Sequence, residues 1–138
     1  MSKLRELHAE LASCMAELEE LTARPQPDRD AIASARWRLS RTSGRRTRLL
    51  EEEIYPALSG RDDPGLRKLR EANAAVSALS TSHIATWSIE RVMADWPGYC
   101  AASGRVRQAM RDRIALEREA LYPLLEASPP PSGTGERD

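Results

Sequence analysis

The sequence predicts an all-α protein, an antiparallel four-helix bundle, and three observations carry that expectation. Apolar residues recur at spacings of three and four through most of the chain, which is the helical period. Proline- and glycine-bearing breaks interrupt this pattern at "ARPQPDRD", "SGRDDPG" and "DWPGY". No stretch alternates with the period of two that a half-buried strand requires. Four amphipathic helices joined by short breaks bury their apolar stripes most economically against one another.

The first helix is expected over about residues 2–23, because Leu4, Leu7, Leu11, Cys14, Leu18 and Leu21 share one face. Pro25 and Pro27 cannot continue it, and Asp28 offers an N-cap for the next helix. The second helix, about 28–58, carries Ile32, Ala35, Leu39, Ser43, Leu50, Ile54 and Ala57 on its stripe. The third, about 64–95, places Leu69, Val76, Ser80, His83, Trp87 and Ala94 in line. Pro97 suits the first turn of the fourth, about 97–127, whose stripe holds Tyr99, Ser103, Val106, Met110, Leu121 and Leu124. Residues 128–138, "SPPPSGTGERD" without the preceding alanine, lack apolar side chains and read as a disordered tail.

Length and charge narrow the function classes. The 138 residues suit one domain, here 1–127, with a single real core. Basic and acidic residues balance at 21 each and are interspersed, so no nucleic-acid footprint is expected. No apolar run reaches membrane-spanning length, and the charged, amphipathic start is not a secretory signal; a cytoplasmic location follows as an expectation. Cys14 and Cys100 have no metal or redox spacing and read as small buried hydrophobes. No spacing supports a nucleophile–base pair or a phosphate loop, so catalysis is not expected.

One phrase occurs twice. "LEEEIYPALS" ends the second helix and "EREALYPLLE" ends the fourth, and aligning their Tyr-Pro pairs sets Glu52 on Glu119, Ile54 on Leu121 and Leu58 on Leu125. With His8 early in the first helix and His83 within the third, the chain reads as two helix pairs related by pseudo-symmetry. In this it resembles the hemerythrin-like family, the HHE cation-binding domains. The resemblance implies a four-helix bundle over about residues 4–126 with a carboxylate-bridged pair of non-haem iron ions between its helices.

The departures from that family are specific. Ten residues before each proline the family has His, whereas this chain has Arg46 and Arg113. Four residues later the family has Glu; here stand Leu50 and Glu117, and Trp87 follows His83 where oxygen-carrying members have a second His. His8, His83 and Glu117 are the remaining candidate ligands, enough for one loosely held metal but not for an iron pair. A guanidinium stays charged and is not a ligand at ordinary pH.

At about 100° per residue, Arg46, Arg113 and Glu117 all fall within apolar stripes. A charge inside a bundle must be paired. An interior ionic cluster is therefore expected, Arg113 with Glu117, and Arg46 with Glu53, Glu90 or a bound anion, near His83. His83 reads first as a hydrogen-bonded interior histidine, and His8 as a boundary residue at the flank of its leucine stripe. Tyr55 and Tyr122 read as helix-end packing. A second apolar strip on helix three, Ala85, Ile89, Val92 and Trp96, predicts a homodimer or protein-partner surface. These observations favour a non-enzymatic binding or regulatory module without a cofactor; a divergent iron protein for oxygen sensing or metal storage is the alternative.

Overall fold

The computed structural model of the chain describes residues 2–127, so the tail expected over 128–138 lies outside the described residues. Among the described residues all regular structure is helical. Helix α1 (Ser2–Thr22) buries every member of its predicted stripe, from Leu4 to Leu21. Asp28 caps α2 (Arg29–Leu49), its carboxylate accepting from the Ala31 N–H at 3.1 Å.

The second helix changes its winding before its end. A π-helical turn occupies Leu50–Ile54 and leads into α3 (Tyr55–Ala57). The Tyr55 N–H reaches back to the Leu50 carbonyl, one residue further than in an α-helix. Pro56 makes a wider turn cost little here, since it has no N–H to donate and its ring would crowd the carbonyl four residues earlier, but it does not by itself require one. Pro123, in the second copy of the phrase, sits inside a helix that remains α throughout.

Gly60 takes φ +90, the left-handed conformation that glycine adopts without a Cβ clash, and turns the chain toward α4 (Pro64–Thr86). Asp63 caps that helix and Pro64 fills its first position. The third predicted helix is two helices. Its pattern breaks at Trp87, and Ser88 restarts it as α5 (Ile89–Ala94) by accepting from the Arg91 N–H. The last helix, α6 (Trp96–Ala127), is the longest.

α1 packs on α2, α4 on α6, and α1 on α6, with α5 wedged against α6 and α2. The start of α1 lies beside the end of α6, where Arg5 pairs with Glu126 at 2.8 Å. α2 and α4 do not approach each other closely, and a cleft runs between them.

The core is split. One apolar cluster gathers Leu11, Leu18, Ile32, Leu39, Val92, Trp96, Tyr99 and Met110; the other gathers Leu4, Leu7, Leu50, Leu58, Leu69 and Leu121. Every long helix passes from one cluster to the other through a polar residue. His8 stands between Leu7 and Leu11, Arg46 between Leu39 and Leu49, Asn73 between Leu69 and Val76, and Arg113 and Glu117 between Met110 and Leu121. These residues form a polar layer across the molecule.

Candidate functional site: a polar layer and the cleft beside it

Glu117 is the centre of the layer and is fully buried. Its carboxylate accepts from Arg46 Nε at 2.8 Å and from Arg46 Nη2, while its other oxygen lies 2.7 Å from His8 Nε2. The opposite ring nitrogen of His8, Nδ1, lies 2.7 Å from the Tyr122 hydroxyl. With a neutral ring, Nε2 donates to the carboxylate and Nδ1 accepts from the phenol. On the far side, Arg46 Nη2 donates to Asn73 Oδ1 at 2.9 Å, and Asn73 Nδ2 donates to the Tyr55 hydroxyl at 2.5 Å. The result is one continuous hydrogen-bonded line, Tyr122–His8–Glu117–Arg46–Asn73–Tyr55.

Both tyrosines of the repeated phrase are thus termini of this line, not only helix-end packing. The crossing is reciprocal, since Tyr122 of the second helix pair meets His8 of the first, and Tyr55 of the first meets Asn73 of the second. Asn73 thus bonds the Tyr55 hydroxyl as His8 bonds that of Tyr122. The spacings agree: 47 residues separate His8 from Tyr55 and 49 separate Asn73 from Tyr122, against 39 for His83. The available signal was a polar residue on the apolar stripe between Leu69 and Val76.

Electrostatics follow from the count of charges. Burial alone would raise the Glu117 carboxyl, but the hydrogen bonds from His8 and Arg46 and the charge of Arg46 outweigh it and hold the group below its ordinary value. The equivalent position in the other helix pair is Leu50, so two buried arginines share one carboxylate. Arg46 takes it. Arg113 Nε stays 4.0 Å away, and no hydrogen-bond partner meets that atom among the described residues. Burial first, and then the charge of Arg46, push Arg113 down to about 10.

The expected cluster needs correction in three places. Arg46, rather than Arg113, is the main partner of Glu117, because Arg46 approaches from the facing helix with its guanidinium fork aligned. Glu53 and Glu90 are exposed and pair with Lys3 and Arg29 at 3.6 and 3.4 Å, so neither serves Arg46. His8 is buried, drawn inward by its two partners.

His83 lies elsewhere on α4, stacked on Tyr99 with ring centroids 5.7 Å apart. Burial lowers its pKa, as do the charges of Arg36, Arg107 and Arg105. Of the three residues suggested as ligands, His8 and Glu117 meet at 2.7 Å but His83 does not join them, and among the described residues no three His, Cys, Asp or Glu side chains are grouped to hold a metal. Arg46 already covers Glu117, the one buried carboxylate among the described residues, so this donor set does not fit an iron pair.

The strip on helix three is also redistributed. The break at Ser88 changes the helical phase, so Ala85 is exposed, Ile89 is half-buried, and Val92 and Trp96 are core residues. Trp96 donates its indole N–H to the Arg24 carbonyl at 3.0 Å. Large exposed apolar side chains lie instead at Trp37, Leu79, Ile84 and Met93.

Beside the polar layer, the cleft between α2 and α4 holds a cavity of about 240 Å³. α2 contributes Arg36, Leu39, Ser43 and Arg46, α4 contributes Ser77, Ser80 and His83, and α6 forms the floor with Tyr99, Ser103, Arg107 and Arg113. Arg107 donates from Nη1 to Ser103 Oγ at 2.7 Å, and Arg36 donates from Nη2 to the Trp87 carbonyl at 2.7 Å. Comparison with protein families, with curated proteins and with solved structures finds no match. No helix among the described residues is long and apolar enough to cross a membrane.

Proposed function

We propose that this chain is a non-enzymatic binding module, hemerythrin-like in design: an antiparallel four-helix bundle of two related helix pairs. In this reading a permanent Arg46–Glu117–His8 linkage stands where the family holds metal, and the module acts through the Arg- and His-lined cleft next to it. The observation that carries the reading is the saturation of Glu117 by Arg46 and His8. A carboxylate so engaged is a structural anchor, and the fixed guanidinium supplies the positive charge that a cation would otherwise bring. The two unpaired thiols, Cys14 and Cys100, fit the cytoplasmic setting that belongs to this proposal.

Leu79 and Ile84, both exposed on α4, favour a second route of action, contact with a protein partner or a second copy. Metal analysis and an ultraviolet–visible spectrum of protein produced under iron-replete conditions test the main reading. Substoichiometric iron and an unchanged melting temperature in chelator are expected. Two irons per chain with oxo-bridge absorption would instead establish the divergent metalloprotein.

A further inference from the structure

We propose that the cleft between α2 and α4 binds a small organic oxyanion, a carboxylate or phosphate carried on a short apolar body. This rests on the binding-module reading and adds the chemical class of the ligand.

The first argument is charge. Arg36, Arg46, Arg107 and Arg113 line the 240 Å³ cavity in this cleft, and no acidic side chain lines that cavity. Glu117 is consumed by Arg46, and Arg113 reaches it only at 4.0 Å. Arg36 and Arg107 make no ion pair among the described residues; they donate instead to the Trp87 carbonyl and the Ser103 hydroxyl. Arg107 and Arg113 are 8% and 4% exposed, so solvent screens them little. Buried like charges of this kind call for an anion between them.

The second argument is unsatisfied bonding, and it is independent of the first. Among the described residues, the buried side-chain atoms without a hydrogen-bond partner are Ser43 Oγ, Ser80 Oγ, Arg107 Nε and Arg113 Nε. All four belong to residues that line this one cavity, from three different helices. Buried polar groups are almost always bonded, so four such residues around one cavity leave it a place where a polar partner would be satisfied. Guanidinium forks and hydroxyls together are the donor set that carboxylates and phosphates accept from.

The third argument is shape. At about 240 Å³ the cavity is smaller than the clefts that take drug-sized ligands, roughly 300–1,000 Å³. Leu18, Leu39, Val106 and Met110 give the rest of it an apolar wall, so a bare inorganic anion would leave that wall unused. A ligand seated there would touch α2, α4 and α6 at once and close the seam where α2 and α4 stay apart.

Calorimetric titration of the full chain at fixed ionic strength tests this with benzoate, phenyl phosphate, inorganic phosphate and neutral benzyl alcohol. One aryl oxyanion is expected to bind one-to-one, at least tenfold tighter than benzyl alcohol and tighter than inorganic phosphate. Benzoate as the tighter probe assigns the carboxylate class, and phenyl phosphate the phosphate class. Arg113→Gln should weaken that probe tenfold or more, and Ser80→Val about threefold. Arg38→Gln, at a surface pair with Glu17, should leave it unchanged.

Equal binding of benzyl alcohol, inorganic phosphate as tight as the tighter aryl oxyanion, or wild-type affinity in both cleft variants would overturn the proposal. Binding of none of the four probes by metal-free protein would also overturn it while leaving the metal-free module intact. Stoichiometric iron would remove the module reading, with the titration still reporting on the cleft.

Discussion

At the scale of single residues, the decisive fact is that two interior arginines meet one carboxylate. Arg46 and Arg113 were legible as stripe residues, and the need to pair them followed from their charge. Which one wins Glu117 was not legible, because that depends on approach from a facing helix. Removing the carboxylate should be severe: Glu117→Gln leaves Arg46 buried without its counter-ion, and a loss of about 3–5 kcal/mol is expected in urea unfolding. The acid response of the wild type has a definite sign. The Glu117 carboxyl is held below its ordinary 4.5, so the unfolded chain binds its proton first on acidification. Its stabilising contribution is complete above 4.5 and falls away as the pH drops through the lower folded-state value. Unfolding midpoints measured downward from neutral pH should therefore fall below 4.5, and should fall less in Glu117→Gln.

At the scale of elements, helix starts were the best-read features. Asp28 caps α2 as its position in the proline-bearing break suggests, and Asp63 caps α4 in the same way. The division of the third helix at Ser88 was not read, because "ATWSIERV" contains neither proline nor glycine and keeps an apolar spacing across the break. The restart depends on a single side chain. Ser88→Ala should cost about 1 kcal/mol by losing the bond to the Arg91 N–H, with helicity by circular dichroism nearly unchanged. No change in stability would mean that packing of Trp87, Val92 and Trp96 alone sets the break. The π turn likewise escaped the sequence, since Tyr-Pro ends both copies of the phrase yet only Leu50–Ile54 widens.

At the scale of the whole molecule, two apolar clusters are joined through a layer of polar side chains. Such a layer adds little net stability over well-packed hydrophobes, because burying the ions costs nearly what their attraction returns. The double substitution Arg46→Met with Glu117→Leu should accordingly lose less stability than Glu117→Gln alone, although it removes more bonds. A double variant less stable than the single one would show that the layer contributes more than charge compensation. The layer also holds the opposing helix pairs in register, since each tyrosine of the repeat bonds across to the other pair.

The sequence by itself determined the helical class, most of each stripe (Ala57 and Ala94 prove exposed), most helix starts and the presence of charge inside, since these depend on local periodicity and capping. It also marked the repeated Tyr-Pro phrase, whose two tyrosines both end the buried hydrogen-bonded line. Only the tertiary structure decided that Asn73 bonds Tyr55 as His8 bonds Tyr122, that Glu117 belongs to Arg46, and that the residues with unpartnered groups line one cavity. The physical reason is distance along the chain: Glu117 lies 109 residues from His8 and 71 from Arg46. Hydrogen bonds over such separations are set by how helices face one another, which no local spacing encodes.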